Sequence, residues 1–381
     1  MTPEAGLAPL HEWTCGPMPR GVETVLQRLR RSEGIDHVAV MPDVHLSGDF
    51  CVGTVVASRH RVYPGAVGGD IGCGMVAARF EAGAHDVLGA DAGARRILRA
   101  LRTMVPVNRH GRRTVPSELP HAVESLELSV ESLSRRSRRD GLAQLGTLGR
   151  GNHFLELQSD DEGALWLMVH SGSRGMGRAV AAHHARRCEA EPGGLGFFDA
   201  VSDAGRAYLA DVAWCTAYAR ANRIEMVEAV AALMSELFAV ELDETSIVHC
   251  DHNHVRRERH RDVELWVHRK GAVSAAEGEP GIIPGSMGSP SFHTEGRGCT
   301  AALRSSSHGA GRLMSRTEAR ERVSTRELRR QMRGVRFDEE RAGRLRDEAP
   351  SAYRDIGEVM RAQKELTRVV RRVRPLLAYK G

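Results

Sequence analysis

Seven short segments, dense in histidine, aspartate, cysteine, glycine or serine, are scattered along this chain, and their scatter constrains its folding more than any other feature. They are MPDVH (41–45), GGDIGCGM (69–76), GNHFLE (151–156), HSGSRG (170–175), DHNH (251–254), IPGSMGSPS (283–291) and SSSHGAGR (305–312). Length alone suggests about two or three domains. Chemically suggestive residues running from 41 to 380, with no repeat and no clear linker between them, argue instead for one integrated domain over residues 1–381.

The stretches between these segments alternate strand and helix patterns. His37–Met41, Val52–Ala57 and Met75–Phe80 read as strands, His153–Gln158 and Leu165–Val169 as paired strands around an acidic turn, and Val263–His268 as another. Helical spacing covers about 87–101, 121–139 and an alanine-rich run at 204–238. Residues 269–312, rich in glycine and serine, are expected to form structured loops. Residues 316–333 are expected as one charged helix. Residues 354–374 are expected as a last amphipathic helix, with Ile356, Val359, Met360, Leu366, Val369, Val370 and Val373 on its apolar side. The fold class this predicts is α+β, with mixed β-sheets around a buried metal site and flanking helices.

Asp70, Cys73, His153, His170 and His252 together make a metal set. A turn after Asp70 can bring Cys73 back to the same point, and histidines at strand ends can converge on it. A thiolate can bridge two ions, and mixed O, N and S donors suit manganese, zinc, iron or cobalt better than calcium. Any one of these histidines alone reads more readily as a structural residue. Cys73 and Arg79 also have the C-x5-R spacing of a cysteine phosphatase loop, but Met75–Phe80 reads as a strand where a phosphate cradle needs a tight loop.

IPGSMGSPS has the makings of an anion-binding loop, with Ser286, Ser289 and Ser291 as hydroxyl donors, or of an ordinary surface loop. His308 stands among small residues, where a phosphate could approach it closely, and histidine can attack phosphorus. A carboxylate on its other nitrogen would fix the tautomer, and Arg312 could neutralise phosphate charge. DHNH is not the HNH nuclease signature, whose residues are not contiguous.

Charge is compatible with nucleic acid without demanding it: net +5, pI about 9, and arginine far outnumbering lysine. Clusters at Arg109–Arg113, Arg135–Arg139 and Arg256–Arg261 could follow a nucleic-acid backbone or simply be solvated helix faces. The opening residues lack a signal-peptide pattern, and no apolar run reaches the roughly 20 residues needed to span a bilayer. Seven scattered cysteines without a CxxC disfavour a disulfide framework and a zinc ribbon, and predict a reducing cytoplasm.

In order and wording, these segments resemble the RtcB family of GTP-dependent RNA ligases. HSGSRG, PGSMG, SHGAGR and DEAPSAY carry the resemblance, which runs from MPDVH to the C-terminal YKG. It implies an enzyme joining RNA ends bearing a 3′-phosphate or 2′,3′-cyclic phosphate to ends bearing a 5′-hydroxyl, in RNA repair or tRNA splicing, with GTP as cosubstrate and two Mn2+ ions in a dinuclear site. His308 matches the nucleophile that takes up GMP, and Asp43 the acid that orients it. Asp70, Cys73, His153, His170 and His252 match the metal ligands, Cys73 as bridge. Asn152, Glu156, Ser286, Ser291, Gly309, Ala310, Gly311, Tyr353 and Lys380 match the nucleotide site. Lys380 can serve there only if the C-terminus folds back into the pocket.

Departures from the usual family wording occur at Arg150, Asp251, His254, His293 and LSGDFCVG (46–53), and bear on RNA choice and rate rather than on the chemistry. The wording is closest to a bacterial subgroup associated with a peptide release factor homologue, which points to repair. The resemblance leaves room for an activating protein partner. An RNA 3′-end guanylating or binding protein that stops short of ligation is the alternative.

Overall fold

The computed structural model describes residues 7–111, 114–190 and 194–381. Its largest sheet runs, from one edge to the other, through Leu242–Asp251, Gly74–Gly83, Ala164–Ser171, Phe154–Asp160, Thr367–Lys380, Ser291–Gly296 and Pro280–Ile283, with the short strand Arg336–Phe337 paired parallel to Thr367–Lys380. The two edge strands approach each other, so the sheet curls toward closure. Both faces are covered. Val76, Ala78 and Phe80 pack with Leu157, Leu167 and Leu377 against the helices Asp91–Met104 and Asp203–Phe238. Met75 and Ala77 point to the other face, among Trp166, Met168, Ile282 and Val373. A strand buried on both faces reads as an unbroken apolar run rather than an alternating one, which accounts for Met75–Ala78, before exposed Arg79.

A second sheet is ordered Leu10–Glu12, His37–His45, Val52–Ser58, Val263–Lys270 and Asn253–His260, parallel in its first pair and antiparallel elsewhere. The two sheets are joined at His252, between Leu242–Asp251 of one and Asn253–His260 of the other. The α+β class and mixed sheets match the expectation. No helix among the described residues is long and apolar enough to cross a membrane.

The alanine-rich helix extends over Asp203–Phe238, capped by Ser202, whose hydroxyl accepts from the Gly205 amide at 3.0 Å. Four other expectations need correction. Residues 121–139 are interrupted: His121–Glu124 and Glu131–Arg136 are separate helices. Buried Asp211 takes both the amide and the hydroxyl of Ser129 at 2.7 Å and draws the chain out of helical register. Residues 316–333 form two helices, Arg316–Arg322 and Thr325–Gln331, because Ser315 and Ser324 each cap a new start with Glu three residues on. The glycine- and serine-rich stretch contains the strands Ala272–Ser274, Pro280–Ile283, Ser291–Gly296 and Ser305–Ser307.

The largest correction is at the C-terminus. The helix stops at Ala362, and Thr367–Lys380 is a strand. It lies between Phe154–Asp160 and Ser291–Gly296, so hydrogen bonds on both sides override the helical spacing of its apolar residues.

Candidate active site

His308 follows the strand Ser305–Ser307, which pairs with Ala272–Ser274. Gln363 braces this strand by accepting from the Ser307 amide at 2.8 Å. Fully buried Asp43 comes from His37–His45. Its Oδ2 accepts from Nδ1 of His308 at 2.6 Å and from the His308 amide at 3.2 Å. An ionised carboxylate only accepts, so the ring carries its proton on Nδ1 and leaves a lone pair on Nε2. Gly311 lets the two segments close: its φ is +71°, and a Cβ there would lie 2.7 Å from the Asp43 carbonyl oxygen. The His308 ring lies 4.8 Å, centroid to centroid, from His252.

The five proposed ligands fall into two overlapping groups, Asp70–Cys73–His153 and Cys73–His170–His252, with the donor atoms of each within 4.8 Å of one another. The Cys73 sulfur is common to both, 3.5 Å from His153 Nε2 and 3.2 Å from His170 Nε2. Nε2 of His153 lies 2.9 Å from Asp70, and Nε2 of His170 lies 3.3 Å from that of His252. Nδ1 of His170 faces the Asn152 carbonyl at 3.1 Å; donating there leaves Nε2 free to ligate. Burial holds His170 and His252 well below the usual imidazole range, so both are in the neutral, ligating form. Burial raises the Cys73 thiol, and Asp70 raises it further; a bound cation would remove that proton. Gly172 leaves room for this arrangement, since a Cβ there would strike the Asp70 carboxylate and lie 3.2 Å from Cys73 Cα. This donor set fits two cations sharing a thiolate.

Fully buried Arg223 ties these segments together. Its Nη1 donates to the carbonyls of Gly72 at 2.8 Å and Ser171 at 2.7 Å, and its Nη2 to Asp251 Oδ1 at 2.6 Å. Each partner is the sequence neighbour of Cys73, His170 or His252.

A cavity of about 290 Å³ opens over both constellations. Asn152, Glu156, Ser286, Ser291, Gly309, Ala310, Gly311, Tyr353 and Lys380 all line it, as do His308, Asp70, His170 and His252. Cys73, His153 and Asp43 are buried behind that lining. In the serine loop, Ser289 Oγ accepts from the Ser286 amide at 2.8 Å and Ser291 Oγ from the Gly285 amide at 3.2 Å. Lys380 arrives on the C-terminal strand and pairs with Glu348.

Glu348 is the main residue missed in the sequence. Besides Lys380, it accepts from the Tyr353 hydroxyl at 2.8 Å and pairs with Arg316 and with Arg312 at 3.4 Å. It lay in the DEAPSAY wording, which gave it no role. Asn253 and Lys270 also line the cavity; Asn253 was within DHNH, whereas nothing in the sequence singled out Lys270 or Arg223. Arg312 lines the cavity, but its guanidinium is engaged by Glu348 and, at 2.9 Å, by the Tyr353 hydroxyl.

The other suspected residues lie apart from this centre. His254 is 3.4 Å from Arg269, and His293 packs edge-on against Trp166. Arg79 pairs with Asp243 at 2.7 Å on the strand Gly74–Gly83, which removes the phosphatase-loop geometry. In the basic clusters, Arg138 pairs with Glu131, Arg139 with Asp140 and Arg256 with Asp251. Arg112 and Arg113 lie outside the described residues.

The family model described as tRNA-splicing ligase RtcB matches residues 26–381. The chain is 35% identical to the RNA-splicing ligase RtcB of Escherichia coli, over 98% of each chain. It is 32% identical to the RNA-splicing ligase RtcB of Mycobacterium tuberculosis, covering 90% of this chain and 96% of the relative. The tRNA-splicing ligase RtcB of Archaeoglobus fulgidus is 29% identical, covering 90% and 87%. Similarity that spans nearly the whole chain, and every segment that builds the pocket, places this protein in the RtcB family.

Proposed function

We propose that the protein is a GTP- and Mn2+-dependent RNA ligase that joins a 3′-phosphate or 2′,3′-cyclic phosphate end to a 5′-hydroxyl end, with His308 carrying GMP. The observation that supports this most is the 2.6 Å contact from Asp43 to Nδ1 of His308, which leaves Nε2 as a nucleophile on a nucleotide-sized cavity. The names of its relatives supply RNA as the substrate class.

In the first step the Nε2 lone pair attacks the α-phosphorus of GTP. The N–P bond forms, the bond to the β-phosphate oxygen breaks, and pyrophosphate leaves. The ring then carries positive charge, which the Asp43 carboxylate offsets. In the second step an oxygen of the RNA 3′-phosphate attacks the same phosphorus, and the N–P electron pair returns to Nε2. In the third, the 5′-hydroxyl attacks the RNA 3′-phosphorus, losing its proton, and GMP departs as the phosphodiester forms. A cyclic phosphate is first opened by water, the 2′-oxygen taking a proton.

Asp70, Cys73 and His153 would hold one cation, and Cys73, His170 and His252 the other. Bound there, the ions would neutralise charge on the attacking and leaving oxygens. Ser286, Ser291 and the Gly309–Gly311 backbone hold the nucleotide near His308, while Tyr353, Glu348 and Lys380 form the far, base-binding wall. We read the chain as one integrated catalytic unit in a reducing cytoplasm, where its seven unpaired cysteines persist as thiols.

The test is incubation with α-labelled GTP and manganese, followed by denaturing electrophoresis. His308→Ala is expected to abolish an acid-labile protein label, and Asp43→Asn to slow labelling on the order of 10³-fold or more. Label surviving on His308→Ala would sink the nucleophile assignment. Guanylated RNA without joined product would favour end capping.

A further inference from the structure

Beside the catalytic pocket lies a second cavity of about 520 Å³, lined by Arg150, Arg316, Arg320, Arg341 and Arg344. The two cavities share a wall. Glu348 lines both, and along one short stretch Gly151 faces the second while Asn152 faces the first. These arginines come from a loop before residue 152 and from the region 316–344, so no basic run in the sequence announces them.

Their pairing is uneven. Asp347 takes Arg316 at 2.8 Å and Arg320 at 2.9 Å, and Glu348 also takes Arg316. Among the described residues, Arg150, Arg341 and Arg344 have no carboxylate partner; Arg341 only donates to the Lys380 carbonyl at 2.9 Å. Arg150 and Arg344 are exposed. Arginines gathered around one cavity repel each other unless an anion is shared, and a guanidinium presents a planar fork that matches phosphate oxygens. An open cavity with several such forks suits an extended polyanion better than a single small ion.

Resting on the RNA-ligase reading, we propose that this basin carries the sugar–phosphate backbone of an RNA strand whose end lies in the adjoining pocket, with Arg150 and Arg344 as its free phosphate contacts. Such contacts position the strand without reading its sequence. Through Arg341 and the Lys380 carbonyl, the basin is also tied to the strand that delivers Lys380 to the pocket.

The experiment measures binding of a short single-stranded RNA with a 5′-hydroxyl across a range of salt concentrations, using the full chain with manganese and no GTP. R150A/R344A is expected to bind on the order of tenfold more weakly. Its plot of log affinity against log salt should flatten by about one unit per arginine removed. R150K/R344K, which keeps both charges, should retain a slope near that of the unsubstituted protein. Equal affinity and slope in the alanine variant would overturn the basin while leaving the ligase reading intact. If the unsubstituted protein binds no RNA, the ligase reading falls, and with it the basin.

Discussion

Glu156 and Glu348 line the same pocket, yet their surroundings drive them apart. Burial pushes Glu156 up to about 8, against a hydrogen bond from Gln158 at 2.8 Å and the charge of Lys380. Burial also opposes ionisation of Glu348, but Lys380 and Arg316 outweigh it and hold that carboxyl down to about 2. At neutral pH one is an O–H donor and the other an anion, so the wall of the pocket offers both kinds of group. For Glu156 the folded value lies above the ordinary 4.5, so its contribution to stability is complete below about pH 4.5 and is lost as pH rises toward 8. Urea denaturation across pH 4.5–8 should show the native protein losing roughly a few kcal/mol relative to Glu156→Gln. A constant difference across that range would mean that Glu156 is ionised throughout. Glu156 was legible as a site residue through its family wording, but its protonation state was not, since that depends on Gln158, Lys380 and the depth of the pocket.

Among the elements, the C-terminal strand shows most clearly where local pattern misleads. Leu366, Val369, Val370 and Val373 fit helical spacing, yet Val369 and Val370 are 49% and 56% exposed in the strand. What fixes this segment lies elsewhere: Val373 is opposite both Asp160 and Ser291, and Leu377 and Tyr379 enter the core beside Leu155 and Leu157. Leu377→Ala should therefore cost about 2–5 kcal/mol, read from urea denaturation. A change of less than about 1 kcal/mol would place Leu377 outside the core. The S-x-x-E starts at Ser315 and Ser324, by contrast, are a local signal that the expectation of one charged helix passed over: they mark two helices in that stretch.

Across the whole molecule, the site depends on gathering five donors from segments spread over residues 70–252, and Arg223 is the side chain that spans most of them. Arg223→Lys cannot reach two carbonyls and a carboxylate with a planar fork. Its affinity for manganese alone, measured by calorimetry, is expected to fall about 10–100-fold, as for outer partners of metal ligands generally. Manganese should raise the melting temperature of the unsubstituted protein and do so less in the variant, since binding stabilises only the folded state. Unchanged manganese affinity would remove Arg223 as a positioning residue. The sequence by itself picked out the five candidate donors, His308 and the glycines around them, which the fold brings to one pocket, because each chemistry admits few residue types and these stand in short, dense segments. It also placed the strands buried on both faces and the long helix, where the local pattern and the tertiary outcome agree. Only the tertiary structure decided that the last residues form a strand, that Glu348 gathers Tyr353, Lys380, Arg312 and Arg316 at the pocket wall, and that Arg223 and the five basin arginines converge. Those outcomes rest on contacts between residues far apart in the chain, where strand pairing and buried charge outweigh local preference.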